Sequence, residues 1–325
     1  LVPSEFARAA VVHGTVASVS DPHEIANVLG AEGVGYMLDN AHGIPFKFYF
    51  GAPSCVPATP FETAGDQITA DQVGQLLDDA RIFYLSEMMN FPGVLNGDAD
   101  VLEKLQAARS RGKPVDGHAP GLRGAEAKAY IDAGISTDHE CFTQEEAAEK
   151  LSYGAKIAIR EGSAARNFDA LYTLIDEHPE DCFLCSDDKH PDELLQGHIN
   201  QLVKRAVDRG IDRMNALRAA SVNPVLHYGL DVGLLRQGDA ADFIEVDGLE
   251  ELNVLRTFVD GTLVAERGQT TIPRVEPNIV NRFTGSTRSP QQFQVVAKTG
   301  KIHVIEAIDG QLITRQQIEE AKKQV

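Results

Sequence analysis

The stretch Pro114-Val115-Asp116-Gly117-His118, the run Gly124 to Ala133, and Gly134-Ile135-Ser136-Thr137-Asp138-His139 form one strand–helix–strand step. Both strands run into a histidine at their C-terminal end. An apolar β segment, a segment of helical period and a second β segment are the sequence form of a βαβ unit. Outward from this step the pattern repeats. Upstream lie Val16 to Ser20 before Asp21, Phe46 to Phe50 before Ser54, and Ile82 to Leu85 before Glu87. Downstream lie Ala155 to Ile159 before Glu161, and Cys182 to Cys185 before Asp187. The polar end markers fall at 21, 54, 87, 118, 139, 161 and 187, so the gaps are 33, 33, 31, 21, 22 and 26 residues, one βα unit each. Helices are predicted over Ala70 to Asp79, Ala99 to Arg111, Gly124 to Ala133, Gln144 to Tyr153 and Asn167 to His178. Strands alternating with helices imply a parallel sheet covered by helices. The predicted fold is α/β, a (β/α)8 TIM-type barrel with seven strands from this chain and the first strand missing. An open doubly wound sheet would carry a phosphate loop, and neither GxGxxG nor GxxxxGK[ST] follows any strand.

The barrel is expected over residues 1–228. Helical stretches Asp192 to Arg209 and Asp212 to Ala220 close it, and Asn223-Pro224 is expected to break the pattern. Residues 229–272, with Gly238-Asp239-Ala240-Ala241-Asp242 and short β segments, predict a small β-sandwich-like domain. Residues 273–325 read as the start of an incomplete C-terminal domain, with β character at Lys301 to Glu306 and a terminal charged helix. The chain opens on a helix signal, Pro3-Ser4-Glu5-Phe6-Ala7-Arg8, so further sequence is expected upstream.

Composition narrows the function. A chain of 325 residues with 43% hydrophobic and 24% charged residues is an ordinary globular protein. No apolar run reaches the ~20 residues that span a bilayer. A net charge of −18 repels nucleic-acid phosphates and acidic lipid, so neither is an expected partner. Four cysteines make no disulfide scaffold. Cys182-Phe183-Leu184-Cys185 reads as a buried strand rather than a redox pair, in a reducing cytoplasm.

Barrels place chemistry at the C-terminal ends of their strands. There stand Glu87, His118, His139 and Asp187, on four strands, a nitrogen and oxygen set suited to Zn, Mn or Fe. A lone histidine is more often structural; equivalent positions in successive units carry more weight. His42, His178, His227 and His303 have no such register and read as structural.

Six segments taken in order carry a family resemblance. They are Ser20-Asp21-Pro22-His23-Glu24-Ile25, Glu87-Met88-Met89-Asn90-Phe91-Pro92-Gly93, Asp116-Gly117-His118-Ala119-Pro120-Gly121, Thr137-Asp138-His139-Glu140, Arg160-Glu161-Gly162-Ser163, and Ser186-Asp187-Asp188-Lys189-His190-Pro191. Together they resemble the strand-end motifs of metal-dependent adenine deaminases of the amidohydrolase superfamily. The resemblance implies two divalent metal ions, Mn²⁺ or Fe²⁺ ahead of Zn²⁺, with Glu87 as bridging carboxylate. His118 and His139 would bind one ion and Asp187 the other, the remaining ligands being an HxH pair of the absent strand. It further implies hydrolysis of adenine to hypoxanthine and ammonia, with Asp187 moving the proton. Asp188 either supports a ligand from behind or contacts the purine. His23, Glu24 and Ser163 resemble pocket residues, although Asp21-Pro22 is also an ordinary turn and helix start. The expected partner is a small-molecule purine, and the chain is compatible with a homo-oligomer. Two alternatives stand beside this reading. One is another amidohydrolase acting on a cyclic amide or aminated base; the other is a non-catalytic fragment or pseudoenzyme lacking the HxH ligands.

Overall fold

A computed structural model describes residues 1–321, apart from 283, 297, 299 and 312. Seven parallel strands follow one another in chain order. β1 (Ala17–Ser20), β2 (Lys47–Ala52), β3 (Ile82–Met88) and β4 (Val115–Gly117) make one arc. β5 (Thr137–Asp138), β6 (Lys156–Arg160) and β7 (Cys182–Cys185) make the other. Ser136 joins the arcs: its N–H donates to the Val115 carbonyl, and its own carbonyl accepts from the Lys156 N–H, both at 2.9 Å. The curled parallel sheet is of the TIM-barrel type.

Helices cover it from outside. α1 (Pro3–Ala10) precedes β1, α2 (His23–Ala41) follows β1, and α3 (Ala70–Asp78) follows β2. After β3 come α4 (Phe91–Asn96) and α5 (Ala99–Ser110); α6 (Gly124–Asp132) follows β4 and α7 (Gln144–Ser152) follows β5. α8 (Phe168–Leu171) and α9 (Leu174–Glu177) follow β6. α10 (Pro191–Leu194), α11 (Ile199–Asp208), α12 (Arg213–Leu217) and α13 (Asn223–Tyr228) complete the ring. Local chemistry sets their starts. The side chains of Thr69, Asp98 and Thr143 each accept an N–H of the first turn of α3, α5 and α7, a cap contributing ~1 kcal/mol. Val73 and Leu77 of α3, with Val101, Leu105 and Ala108 of α5, are buried at helical spacing against the sheet.

Several expected boundaries move. The β segment placed at Gly134 to Ser136 pairs directly after it, at Thr137–Asp138, with Ser136 bridging the two arcs. The single helix expected over Asn167 to His178 divides into α8 and α9, and that over Asp192 to Arg209 into α10 and α11 around Gly197-His198. Asn223-Pro224 does not end the helical run. A π-turn at Arg218–Val222 leads directly into α13, and proline, lacking an N–H, is tolerated in its first turn.

Beyond the barrel, β8 (Phe243–Val246), β9 (Val254–Val259), β10 (Thr262–Glu266) and β11 (Gln269–Thr270) form one antiparallel sheet in the order β11-β10-β9-β8. Its inner face is covered by α1: Ala7, Ala10 and Val11 pack with Val259, Val264, Ala265 and Ile272. The Thr257 hydroxyl donates to the Val11 carbonyl at 2.7 Å. Lys47 of β2 pairs with Asp242 at 2.7 Å and Asp260 at 2.9 Å, pinning the sheet to the barrel. Farther on, β12 (Lys301–Ala307) pairs antiparallel with β13 (Thr314–Glu320). The charged helix expected at the end of the chain is therefore a strand through Glu320; residues 322–325, which that expectation also included, lie outside the described residues. The turn of this hairpin touches the barrel mouth, where the Arg166 N–H donates to the Gly310 carbonyl at 3.1 Å.

Among the described residues no ladder joins β7 to β1. His198, buried between α10 and α11, spans that seam: its Nε2 lies 3.1 Å from Ser186 Oγ and its Nδ1 2.6 Å from Thr15 Oγ1. No described helix is long and apolar enough to cross a membrane.

Candidate metal centre

Three strand ends bring their polar side chains together. Glu87 near the end of β3, His118 just past β4 and His139 just past β5 are neighbours at the barrel mouth, where the two arcs meet. Glu87 Oε2 lies 3.0 Å from His118 Nδ1 and 2.9 Å from His139 Nε2. The other oxygen, Oε1, faces His23 Nδ1 at 3.7 Å, and that nitrogen lies 3.0 Å from Asp21 Oδ2. One carboxylate thus serves two donor sets, Glu87 with His118 and His139, and Glu87 with Asp21 and His23; within each set the atoms lie within 4.8 Å of one another. A third set of the same tightness joins His139, Glu140 and Asp187.

Glycine at 117 makes the approach of β4 to β5 feasible. A Cβ there would collide with the carbonyl oxygen of Thr137 and the side chain of Ile135. The close packing of these two strands is what sets His118 beside His139.

The electrostatics are those of crowded acids and imidazoles. Burial pushes Glu87 up, but hydrogen bonds from His118 and His139 and their charge prevail and hold it well below the usual carboxylate range. Burial pulls His139 down, yet the Glu87 contact lifts it to about 10. His23 is likewise pulled down by burial and lifted to about 11 by Asp21, Glu24 and Glu87. Asp21 is raised by burial. Below the mouth Asp116, half-buried, is pushed up to about 6 by burial, against hydrogen bonds from Tyr228 and Thr137. The atoms that carry these protons are good ligands once deprotonated, so cation uptake at such a cluster releases protons.

Asp187 stands at the edge of this group, at the end of β7, with a left-handed backbone at φ 48°. Such a φ is uncommon outside glycine and turns its carboxylate toward Arg160, whose Nη1 is 2.6 Å away. Arg160 is itself 1% exposed and also pairs with Glu140. Asp188, raised by burial and then by the Asp187 charge, lines a cleft of about 550 Å³ together with Asp187, Asp21, Glu24 and Ser20. His23 does not line that cleft; it sits between Asp21 and Glu87. Ser163 does not line it either. The Ser163 hydroxyl donates to Glu193 at 2.6 Å and accepts from the His190 N–H at 2.8 Å, so it is engaged away from the cleft.

The residues the sequence reading passed over are Asp21 as a member of a donor set, Glu140 and Arg160. Each lies within one residue of a residue singled out, or ends a strand, so the strand-end register was a signal for them.

A family model for amidohydrolases matches residues 1–264, most of the chain. The chain belongs to the amidohydrolase family. Curated relatives of this amidohydrolase include the adenine deaminase of Salinibacter ruber, 59% identical over 318 residues that make up 98% of this chain and 58% of that protein. The adenine deaminase of Methanosarcina acetivorans is 55% identical over 328 residues, 98% of this chain and 59% of that protein. The chain thus spans a little under three fifths of the length of these relatives. Among solved structures, atrazine chlorohydrolase from Arthrobacter aurescens, in complex with zinc and atraton, aligns with a TM-score of 0.59 at 15% identity, over 84% of this chain and 74% of that one. Beta-aspartyl dipeptidase from Fervidobacterium islandicum gives 0.55 at 13% identity, over 81% and 77%. At such identity these two neighbours speak for the fold of the amidohydrolase barrel.

Proposed function

We propose that the protein hydrolyses adenine to hypoxanthine and ammonia, with a pair of divalent cations held at the barrel mouth. The observation that carries the reading is Glu87, whose two carboxylate oxygens face two different donor sets; the 55–59% identity to proteins named adenine deaminase selects the substrate. A nitrogen and oxygen donor set with one shared carboxylate fits a pair of borderline cations, Mn²⁺ or Fe²⁺ ahead of Zn²⁺.

In this reading Glu87, His118 and His139 would hold one cation, and Asp187 would contribute to the other. Cations so held would supply acidity, making water a nucleophile near neutral pH. The chain's own residues do the rest. Asp187, at the edge of the cleft, accepts the proton of the attacking water and returns it to the departing amine. Arg160 holds its carboxylate in place. Asp188 and Glu24 both line the cleft and are placed to hydrogen-bond the purine edge. The 550 Å³ cleft is of a size for a single small heterocycle. The setting is cytoplasmic, in purine salvage.

The test is ammonia release from adenine by the metal-loaded protein, with cation content measured alongside. Turnover that is lost on chelation and in Glu87→Gln, where metal content also falls, supports the proposal. Metal-loaded protein that leaves adenine untouched while hydrolysing a cyclic amide would replace it.

A further inference from the structure

Two side chains outside the donor sets tie together the strand ends that carry them. Tyr130, on α6, is 1% exposed. Its hydroxyl donates to the Met88 carbonyl at 2.8 Å and accepts from the His118 N–H at 3.0 Å. Met88 directly follows Glu87, so one oxygen atom locks the backbone behind Glu87 to the backbone of His118.

Lys150, on α7, performs the same office one step on. It is also 1% exposed, and its ammonium uses all three donors. One goes to the Ala119 carbonyl at 2.7 Å, one to Asp138 Oδ2 at 2.9 Å and one to Glu146 Oε1 at 2.8 Å. Ala119 directly follows His118 and Asp138 directly precedes His139. The carboxylates it holds extend the clamp. Asp138 Oδ1 accepts the Glu140 N–H at 2.7 Å, shaping the turn that presents His139. Glu146 accepts the Gly121 N–H at 2.9 Å from one loop and the Phe142 N–H at 3.3 Å from the other.

An ordinary core position would be filled by an apolar side chain at less cost, since a buried ammonium must recover its desolvation through its partners. Here every partner belongs to a loop carrying a proposed ligand, or holds such a loop in turn. We infer that Tyr130 and Lys150 are positioning residues that fix the spacing of Glu87, His118 and His139 and so set the cation affinity of that trio. The inference rests on the metal reading proposed above and extends it to residues that touch neither cation nor substrate. Outer partners of metal ligands typically govern affinity by 10–100-fold.

The test compares the full chain with Tyr130→Phe, Lys150→Met, Glu87→Gln and Val264→Ala, the last a core truncation in the small sheet, remote from the mouth. Co²⁺ is the probe. Its dissociation constant is measured by chelator competition, and its visible absorption reports coordination geometry. Tyr130→Phe removes a single oxygen and keeps the ring, so it stands in if Lys150→Met does not fold. The expected result is binding about 10–100-fold weaker in both positioning variants, with an altered Co²⁺ spectrum. Val264→Ala should lose thermal stability with affinity and spectrum unchanged. Wild-type affinity and spectrum in Tyr130→Phe and in folded Lys150→Met, while Glu87→Gln has lost Co²⁺, would overturn the inference and leave the metal reading intact. Equal weakening in Val264→Ala would reduce the effect to general destabilisation and also overturn it. Undiminished binding by Glu87→Gln would instead remove the metal reading itself, and the inference with it.

Discussion

Arg160 reaches across from β6 to Asp187 at the end of β7, Nη1 to Oδ2 at 2.6 Å, while the same guanidinium is held by Glu140. The guanidinium lies between two carboxylates that would otherwise repel each other beside His139. Removing it by Arg160→Met leaves the buried Glu140 carboxylate without its counter-charge, which costs about 3–5 kcal/mol. Urea denaturation should show that loss. Arg160→Lys should recover part of it, since a single ammonium cannot make the forked contact to Glu140.

Asp187→Asn keeps the size of the side chain and removes its capacity to take up a proton. Deamination by metal-loaded protein should fall roughly 10²–10⁴-fold in kcat, with a smaller change in KM. Rates near wild type would assign the proton transfer to another group.

Gly117→Ala tests whether strand spacing governs the site. The added methyl has the Thr137 carbonyl and Ile135 in its path, so β4 must retreat from β5. Overpacking of this kind costs about 1–3 kcal/mol. The expected outcome is a lower melting temperature together with reduced cation occupancy, whereas Gly112→Ala, at a glycine with open space around it, should leave occupancy alone.

His198 gives a pH dependence with a definite sign. Burial, then the nearby charges of Lys189 and His13, depress it to about 3 in the folded protein. An unfolded histidine titrates near 6.5. Between these values the unfolded chain binds the proton and the folded chain does not, so stability declines as pH falls from about 6.5 toward about 3. Above 6.5 the residue contributes no slope. The effect is on the order of a few kcal/mol across that window. Replacing it by His198→Gln should flatten this part of the stability profile, measured by denaturant titration at stepped pH.

The barrel was legible because its signal is repeated: a polar residue closes each apolar strand, and the stretches between them carry apolar residues at helical spacing. Glu87, His118 and His139 shared that register and so could be named together. Tyr130 and Lys150 could not. They lie on helices, where a tyrosine and a lysine four residues after a glutamate read as an apolar face and a surface ion pair. Only the packing of α6 and α7 onto the strand ends turns them inward. Boundaries failed where pairing fell just outside the apolar segment, as after Ser136. Thr314–Glu320, rich in Gln and Glu, was decided by pairing with β12 along seven positions, a long-range contact that overrides helix propensity.

The packing of α1 against the small sheet has a consequence for how the molecule is made. Ala7, Ala10 and Val11 leave the ribosome about 250 residues ahead of Val259, Val264 and Ile272, which bury them. At ~5–20 residues per second that interval is on the order of 10 to 50 s. Through all of it α1 carries an apolar face without its final cover, while the barrel strands behind it are already free to pair. The seal on α1 therefore forms late relative to the barrel, and a chain halted before residue 259 would leave this greasy face open to chaperones and to other nascent chains.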